Sequence, residues 1–260
     1  MSTIWLIATG TFGEAMRRKI LNVFLFVAIA IIVMTFAFTS FMPRQELVLI
    51  KSLGLGVIGL AGVFISVILG INLIPNEIER RTIYTILSKP VQRYEFVLGK
   101  FLGGLMTVLS NIALMGLAFL LLIVYKEHAF NLDVLKGILM IFFQLVIVGA
   151  LALFFSVFLS PFVNFFLTFA VYLLGSLSSV TESLASDPDH HKNPVVVGFF
   201  KVVHVVVPNF GNYNIQNPII HPDVHITNEN LYIAQNILYA IVYTSILLLI
   251  AVQIFERREV

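Results

Sequence analysis

Five predominantly apolar stretches of this 260-residue chain contain no Asp, Glu, Lys or Arg, and each is long enough to fill the hydrocarbon core of a bilayer. They lie between Lys19 and Arg44, Lys51 and Glu77, Lys100 and Lys126, Lys136 and Glu182, and Glu229 and Glu256. A helix crosses the core in about 20 residues, so four of these intervals hold one span each. The interval after Lys136 is about twice as long and is interrupted at Ser160-Pro161-Phe162, which predicts a hairpin of two helices. The expected spans are therefore six: 20–41, 53–74, 97–124, 137–159, 162–180 and 232–255. Transmembrane barrel strands alternate apolar and polar residues, whereas these runs are apolar on every side. Helices are the other way to satisfy backbone polar groups in lipid. The expected fold class is an all-α integral membrane protein, one transmembrane domain over residues 1–260.

Composition narrows the function. The chain is 59% hydrophobic and 12% charged, roughly half the charged share of a soluble domain. It has no Cys, hence no disulfide framework and no thiolate metal site. A net charge of +2 is too small to suggest nucleic acid as a partner. No signal peptide is expected, because Glu14, Arg17, Arg18 and Lys19 precede the first apolar run and no small-residue cleavage site follows. No ionisable residue lies deep within any expected span, which argues against a proton relay or ion-coupled carrier. The chain also lacks H-E-x-x-H and G-x-S-x-G, and places no carboxylate pair in the bilayer. Bond chemistry by this chain is not expected, and no catalytic, cofactor-binding or metal residues are assigned.

Six spans put both termini on one side of the membrane. If that side is the cytoplasm, residues 1–19, 75–100 and the tail from Glu256 carry ten of the sixteen basic residues. Lys and Arg concentrate on the inner face, so both termini are expected to be cytoplasmic. Residues 1–19 are expected to form an interfacial helix, with Trp5, Ala8, Phe12, Ala15 and Met16 on one face.

The charges that remain concentrate in "NEIERRTIYTILSKPVQRYEFVLGK", residues 76–100. Asn76 is a suitable N-cap, and Glu77 and Glu79 fall in a first turn where the helix dipole favours acids. Pro90 stops the helix near Lys89. The pattern predicts a short helix over 75–90, with Ile83, Ile86 and Leu87 on one side, between spans two and three. An ordinary positively charged inner loop would explain the charges, but not the capped amphipathic helix.

This segment resembles the one following the second span in ABC (ATP-binding cassette) type-2 exporter permeases. In that family an acidic-basic stretch leads into a Thr-containing helix, a Leu-[Ser/Ala]-x-Pro turn and a Gly-Lys at the next span. Here those are Glu77 to Arg81, Thr82, Leu87-Ser88-Lys89-Pro90 and Gly99-Lys100, with Arg81 where the family often has Gly. The resemblance extends to "FGEAMRRKIL", to the six-span layout and to the closing "FERREV". It implies that residues 75–90 are a coupling helix, with Glu77, Glu79, Arg80, Arg81 and Thr82 contacting a separate ATPase subunit. No G-x-x-x-x-G-K-[ST] occurs in the chain, so ATP and Mg would enter through that partner, itself a dimer. The resemblance further implies a second permease copy or paralogue, lipid around the spans, and the bacterial cytoplasmic (inner) membrane as location. Two other readings stay open: an ABC membrane subunit assisting maturation of an extracytoplasmic (metallo)enzyme, as in nitrous-oxide reductase assembly, and a channel or scaffold without ATP coupling.

Polar residues recur at helical spacing within the spans. Asn164, Thr168, Tyr172 and Ser176 share a face of the fifth, Gly103, Thr107 and Asn111 a face of the third. Either stripe could line a translocation path, although interhelical hydrogen bonding is the commoner use of such residues. Gly62, Ser66 and Gly70 form a small-residue ridge on the second span, suited to close helix contact. Residues 181–231 are expected to be an extracytoplasmic loop open to a partner. Its apolar half, "VVVGFFKVVHVVVPNF", is expected to be a re-entrant or interfacial helix. "HPDVH", His221 to His225, has metal-ligand residue types, but Pro222 spoils a regular helical pair and solvated histidines are expected.

Overall fold

The computed structural model describes residues 2–39, 46–75, 92–178, 206–214 and 228–257. These residues form seven helices of eight or more residues and a short 3-10 turn, with no strand among them. The helices are α1 (Thr3–Met16), α2 (Lys19–Thr39), α3 (Glu46–Asn72), α4 (Arg93–Glu127), α5 (Leu132–Ser156), α6 (Pro161–Ser176) and α7 (Glu229–Arg257). The 3-10 turn is Gly211–Tyr213. Five helices, α2, α3, α4, α5 and α7, are long and apolar enough to cross a membrane. The sixth expected span corresponds to α6, which has 16 residues and so extends about 24 Å, against about 30 Å for the hydrocarbon core. It is apolar but short by this measure. The charge-free interval ending at Glu182 marks where lipid contact could end, and the helix need not continue so far.

The centre of the bundle is the α3–α5 pair. In their most apolar windows α5 is 67% buried and α3 61%, against 22% for α2 and 28% for α7. The cause is legible in side-chain size. A Cβ on Gly70 would lie 2.3 Å from Ala152 Cβ, and one on Gly62 would lie 2.4 Å from Leu145 Cδ1. Ser66, between them on the ridge, donates to the Leu145 carbonyl at 2.9 Å. Small residues let two backbones approach, and in lipid such packing replaces the hydrophobic force that assembles soluble cores. The outer faces remain apolar, with Phe26 and Met34 on α2, Leu117 and Leu121 on α4, and Leu249 on α7 all exposed. Exposed apolar side chains on several helices are what a chain surrounded by acyl chains presents.

The N-terminal helix packs on protein along the start of α4. A Cβ on Gly103 would meet the Ala8 carbonyl at 2.5 Å, and one on Gly99 would meet Ile7 Cβ at 2.8 Å. Ala8, Thr11 and Ala15 are buried there, whereas Trp5 is 45% exposed. The expected grouping of Trp5 with Ala8 and Ala15 therefore divides. Contact with α4 selects the small residues, and Trp5 points away from it. Ser160 precedes α6 and Pro161 occupies its first turn, where proline's missing N–H costs nothing. The chain thereby turns back, and α6 packs against α5.

Candidate functional site

The charged stretch begins outside the described residues: Glu77, Glu79, Arg80, Arg81 and Thr82 all lie in 76–91. Its continuation is described, and it is anchored. The Gln92 backbone N–H donates to Glu95 Oε2 at 3.0 Å, capping α4. Arg93 Nη1 donates to the carbonyls of Phe255 at 2.9 Å and Glu256 at 3.1 Å. Its guanidinium lies 5.8 Å from the centre of the Phe255 ring, which also stacks on Phe96 at 5.9 Å. The last carbonyls of a helix have no partner within it and carry partial negative charge, so a cation there closes the end of α7. The charged stretch is thus tied at one side to both α4 and α7. Sequence reasoning missed this contact, because nothing local to Arg93 points to a carbonyl 162 residues away.

Lys100, expected at the inner margin of its span, is buried beneath α1 with 6% exposure. Its ammonium lies 5.8 Å from the centre of the Phe96 ring, and it borders a small cavity shared with Thr11, Glu14 and Asn72.

The two polar stripes differ in what they touch. On α6, Asn164 and Thr168 are fully buried. Asn164 Nδ2 donates across to the Ala152 carbonyl of α5 at 2.8 Å, and Thr168 Oγ1 donates to Asn164 Oδ1 at 2.8 Å. On α4, Thr107 donates to the Gly103 carbonyl and Asn111 to that of Thr107, each at 2.9 Å, and both are buried. Tyr172 and Ser176, further along α6, are half-buried; Ser176 Oγ donates to the Tyr172 carbonyl at 2.8 Å. α4 and α6 each pack on α3 and α5.

Tyr172 faces residues 206–214, a described part of the long loop. Its ring lies 5.4 Å from that of Phe210. This segment is wedged against the bundle. The Phe210 N–H donates to the Gly175 carbonyl at 3.0 Å, and a Cβ on Gly175 would lie 2.2 Å from the Pro208 oxygen. Tyr213 OH donates to the Asn236 carbonyl at 2.8 Å and Tyr243 OH to the Val206 carbonyl at 2.9 Å. Phe210 and Tyr213 are each 1% exposed, and burial pushes the Tyr213 phenol well above its ordinary range. The expected helix over "VVVGFFKVVHVVVPNF" lies mostly outside the described residues, as does His221 to His225. No group of three potential metal ligands occurs among the described residues.

Long apolar helices, a glycine-lined seam at their centre and polar contacts turned inward define a multi-pass helical membrane protein. The family model described as ABC-2 family transporter protein matches residues 5–260. The chain belongs to that family, as a transmembrane permease subunit of an ABC transporter. No curated protein matches it.

Proposed function

We propose that this chain is the membrane-spanning half of an exporter driven by a separate ATPase, with residues 76–91 as the contact between them. The observation that carries the proposal is the family match over nearly the whole chain, joined to the missing phosphate-binding loop. Glu77, Glu79, Arg80, Arg81 and Thr82 engage the ATPase dimer, which holds ATP and Mg. Movement of that stretch is transmitted through Gln92 and Arg93 to the start of α4 and the end of α7. The Arg93 bonds to Phe255 and Glu256 support this route. Six spans, with α6 as the fifth, place both termini in the cytoplasm of a bacterial inner membrane and residues 181–231 outside. A second copy or paralogue completes the path. Tyr172 and Ser176, beside the wedge, face that path, whereas Asn164 ties α6 to α5 and Thr168, Thr107 and Asn111 are buried in bonds within their own helices.

The test is a paired charge reversal, Glu79→Arg with Arg81→Glu, in the chain coexpressed with its P-loop ATPase. Reversal preserves net charge and hence insertion, but turns interfacial attraction into repulsion. The expected result is normal membrane insertion, weakened co-purification of the ATPase and loss of transport. The isolated wild-type chain should hydrolyse no ATP. Normal transport by the reversed chain would reduce the stretch to a topological anchor. Failure of any ATPase to co-purify with the wild type would favour an uncoupled channel or scaffold.

A further inference from the structure

One buried side-chain oxygen among the described residues has no hydrogen-bond partner: the hydroxyl of Thr244, near the middle of α7. A Ser or Thr in a helix ordinarily turns to a carbonyl one turn earlier. Ser110 does so to Met106 at 2.9 Å, and Ser245, next to Thr244, donates to Ile241 at 2.7 Å. Thr244 is only 6% exposed and borders a groove of about 320 Å³ walled by α1, α4, α5 and α7. Ile4, Leu102, Phe143 and Leu248 supply its apolar sides, and no charged side chain lines it. Past Phe101, Leu105 and Val146 it adjoins a cavity of about 20 Å³ between α3, α4 and α5.

The environment selects the occupant. An ordered water needs two to four polar partners, and among the described lining residues the one other hydroxyl, on Ser245, donates to Ile241 and can only accept, so a water there would have the bare minimum. Thr244 stands about 20 Å along the helix from either end of α7, level with acyl chains and away from phospholipid headgroups. A second copy presenting its exposed faces would offer side chains such as Phe26, Met34 or Leu249, which leave the hydroxyl unpartnered. The groove falls at the lower end of the volumes that hold small organic ligands. We propose that it binds a lipophilic carbonyl compound taken from the bilayer, with Thr244 donating the one hydrogen bond that fixes its orientation. This site does not depend on coupling to an ATPase.

The experiment uses the full chain in lipid nanodiscs, with benzophenone as the photoreactive probe. On irradiation the ketone oxygen takes a hydrogen from a neighbouring C–H, and the two carbons left as radicals join. Adducts are mapped by peptide mass spectrometry. Saturable labelling is expected on peptides bearing Leu102, Phe143 and Leu248. Dicyclohexyl ketone should compete about fivefold better than dicyclohexylmethane, its twin without the carbonyl, which corresponds to one neutral hydrogen bond. Thr244→Val should erase that difference, and Leu248→Phe should abolish saturable labelling while the protein keeps its unfolding temperature. Unsaturable adducts spread over the exposed faces of α2 and α7 would overturn the proposal, as would equal competition by the two compounds in the wild type. So would a disulfide between two copies carrying Leu102→Cys in this otherwise cysteine-free chain, since the groove would then be an interface.

Discussion

Replacing Gly70 by Ala tests the central seam most directly. The new Cβ would sit 2.3 Å from Ala152 Cβ, and 3.2 Å from both the Ala152 carbonyl carbon and the Gly149 oxygen. Carbon atoms pack at about 3.5–4.0 Å, so α3 and α5 must separate by more than 1 Å, with backbone on the far side and no side-chain end to swing away. Overpacking of this kind costs about 1–3 kcal/mol, offset by about 0.5–1 kcal/mol because Ala is the better helix former. Net destabilisation is therefore up to about 2.5 kcal/mol. Gly59, on the same helix, has nothing within 4 Å of an added Cβ, so Gly59→Ala keeps only the favourable part. The two variants then differ by the overpacking cost alone, and at about 2–4 °C per kcal/mol for a chain of this size that is about 2–12 °C in detergent. Thermal loss of the monodisperse peak in size-exclusion chromatography measures this. If Gly70→Ala survives to the same temperature as Gly59→Ala, the close approach of α3 and α5 is wrong.

Asn164→Leu removes the bond to Ala152 and the acceptor for Thr168. About 0.6 kcal/mol per interhelical bond in lipid predicts a lowered unfolding temperature with transport per folded molecule unchanged; normal stability with lost transport would instead make that face part of the path. Tyr172→Leu is expected to show the opposite pattern in the same two assays. Arg93→Ala should cost only about 0.3–1 kcal/mol, the worth of a cation at a helix end, while reducing substrate-stimulated ATP hydrolysis by the assembled complex. Unaltered stimulation would remove Arg93 from the transmission route. Gly175→Val should displace residues 206–214, read as faster proteolysis within that segment, because the Pro208 oxygen leaves no room for a side chain.

The helical membrane class was written in the sequence because bilayer insertion is a one-dimensional constraint. Every residue within the hydrocarbon must be apolar or locally satisfied, so the intervals from Lys51 to Glu77 or Lys100 to Lys126 announce themselves without any partner. The Gly62, Ser66, Gly70 ridge was legible for a related reason: four-residue spacing puts small side chains on one face whatever they meet. That the ridge meets Leu145, Gly149 and Ala152 was not legible, since nothing in α3 names its neighbour. Helix ends were blurred because charge marks the edge of lipid while hydrogen bonding continues beyond it. Hence α3 starts at Glu46 and α5 at Leu132, ahead of the spans read from charge. Only the tertiary arrangement decided how each polar group was used. Asn164 and Thr168 carry the same sequence signal as Tyr172, yet the first two are sealed in the bundle against α5 and Tyr172 faces Phe210. Thr244 looks like any other helix hydroxyl until four helices close around it. Arg93 acquires its role from two carbonyls at the far end of the chain. Spacing along a helix fixes which residues share a face, but the environment of that face is set by contacts between residues distant in sequence, and those exist only once the bundle has assembled.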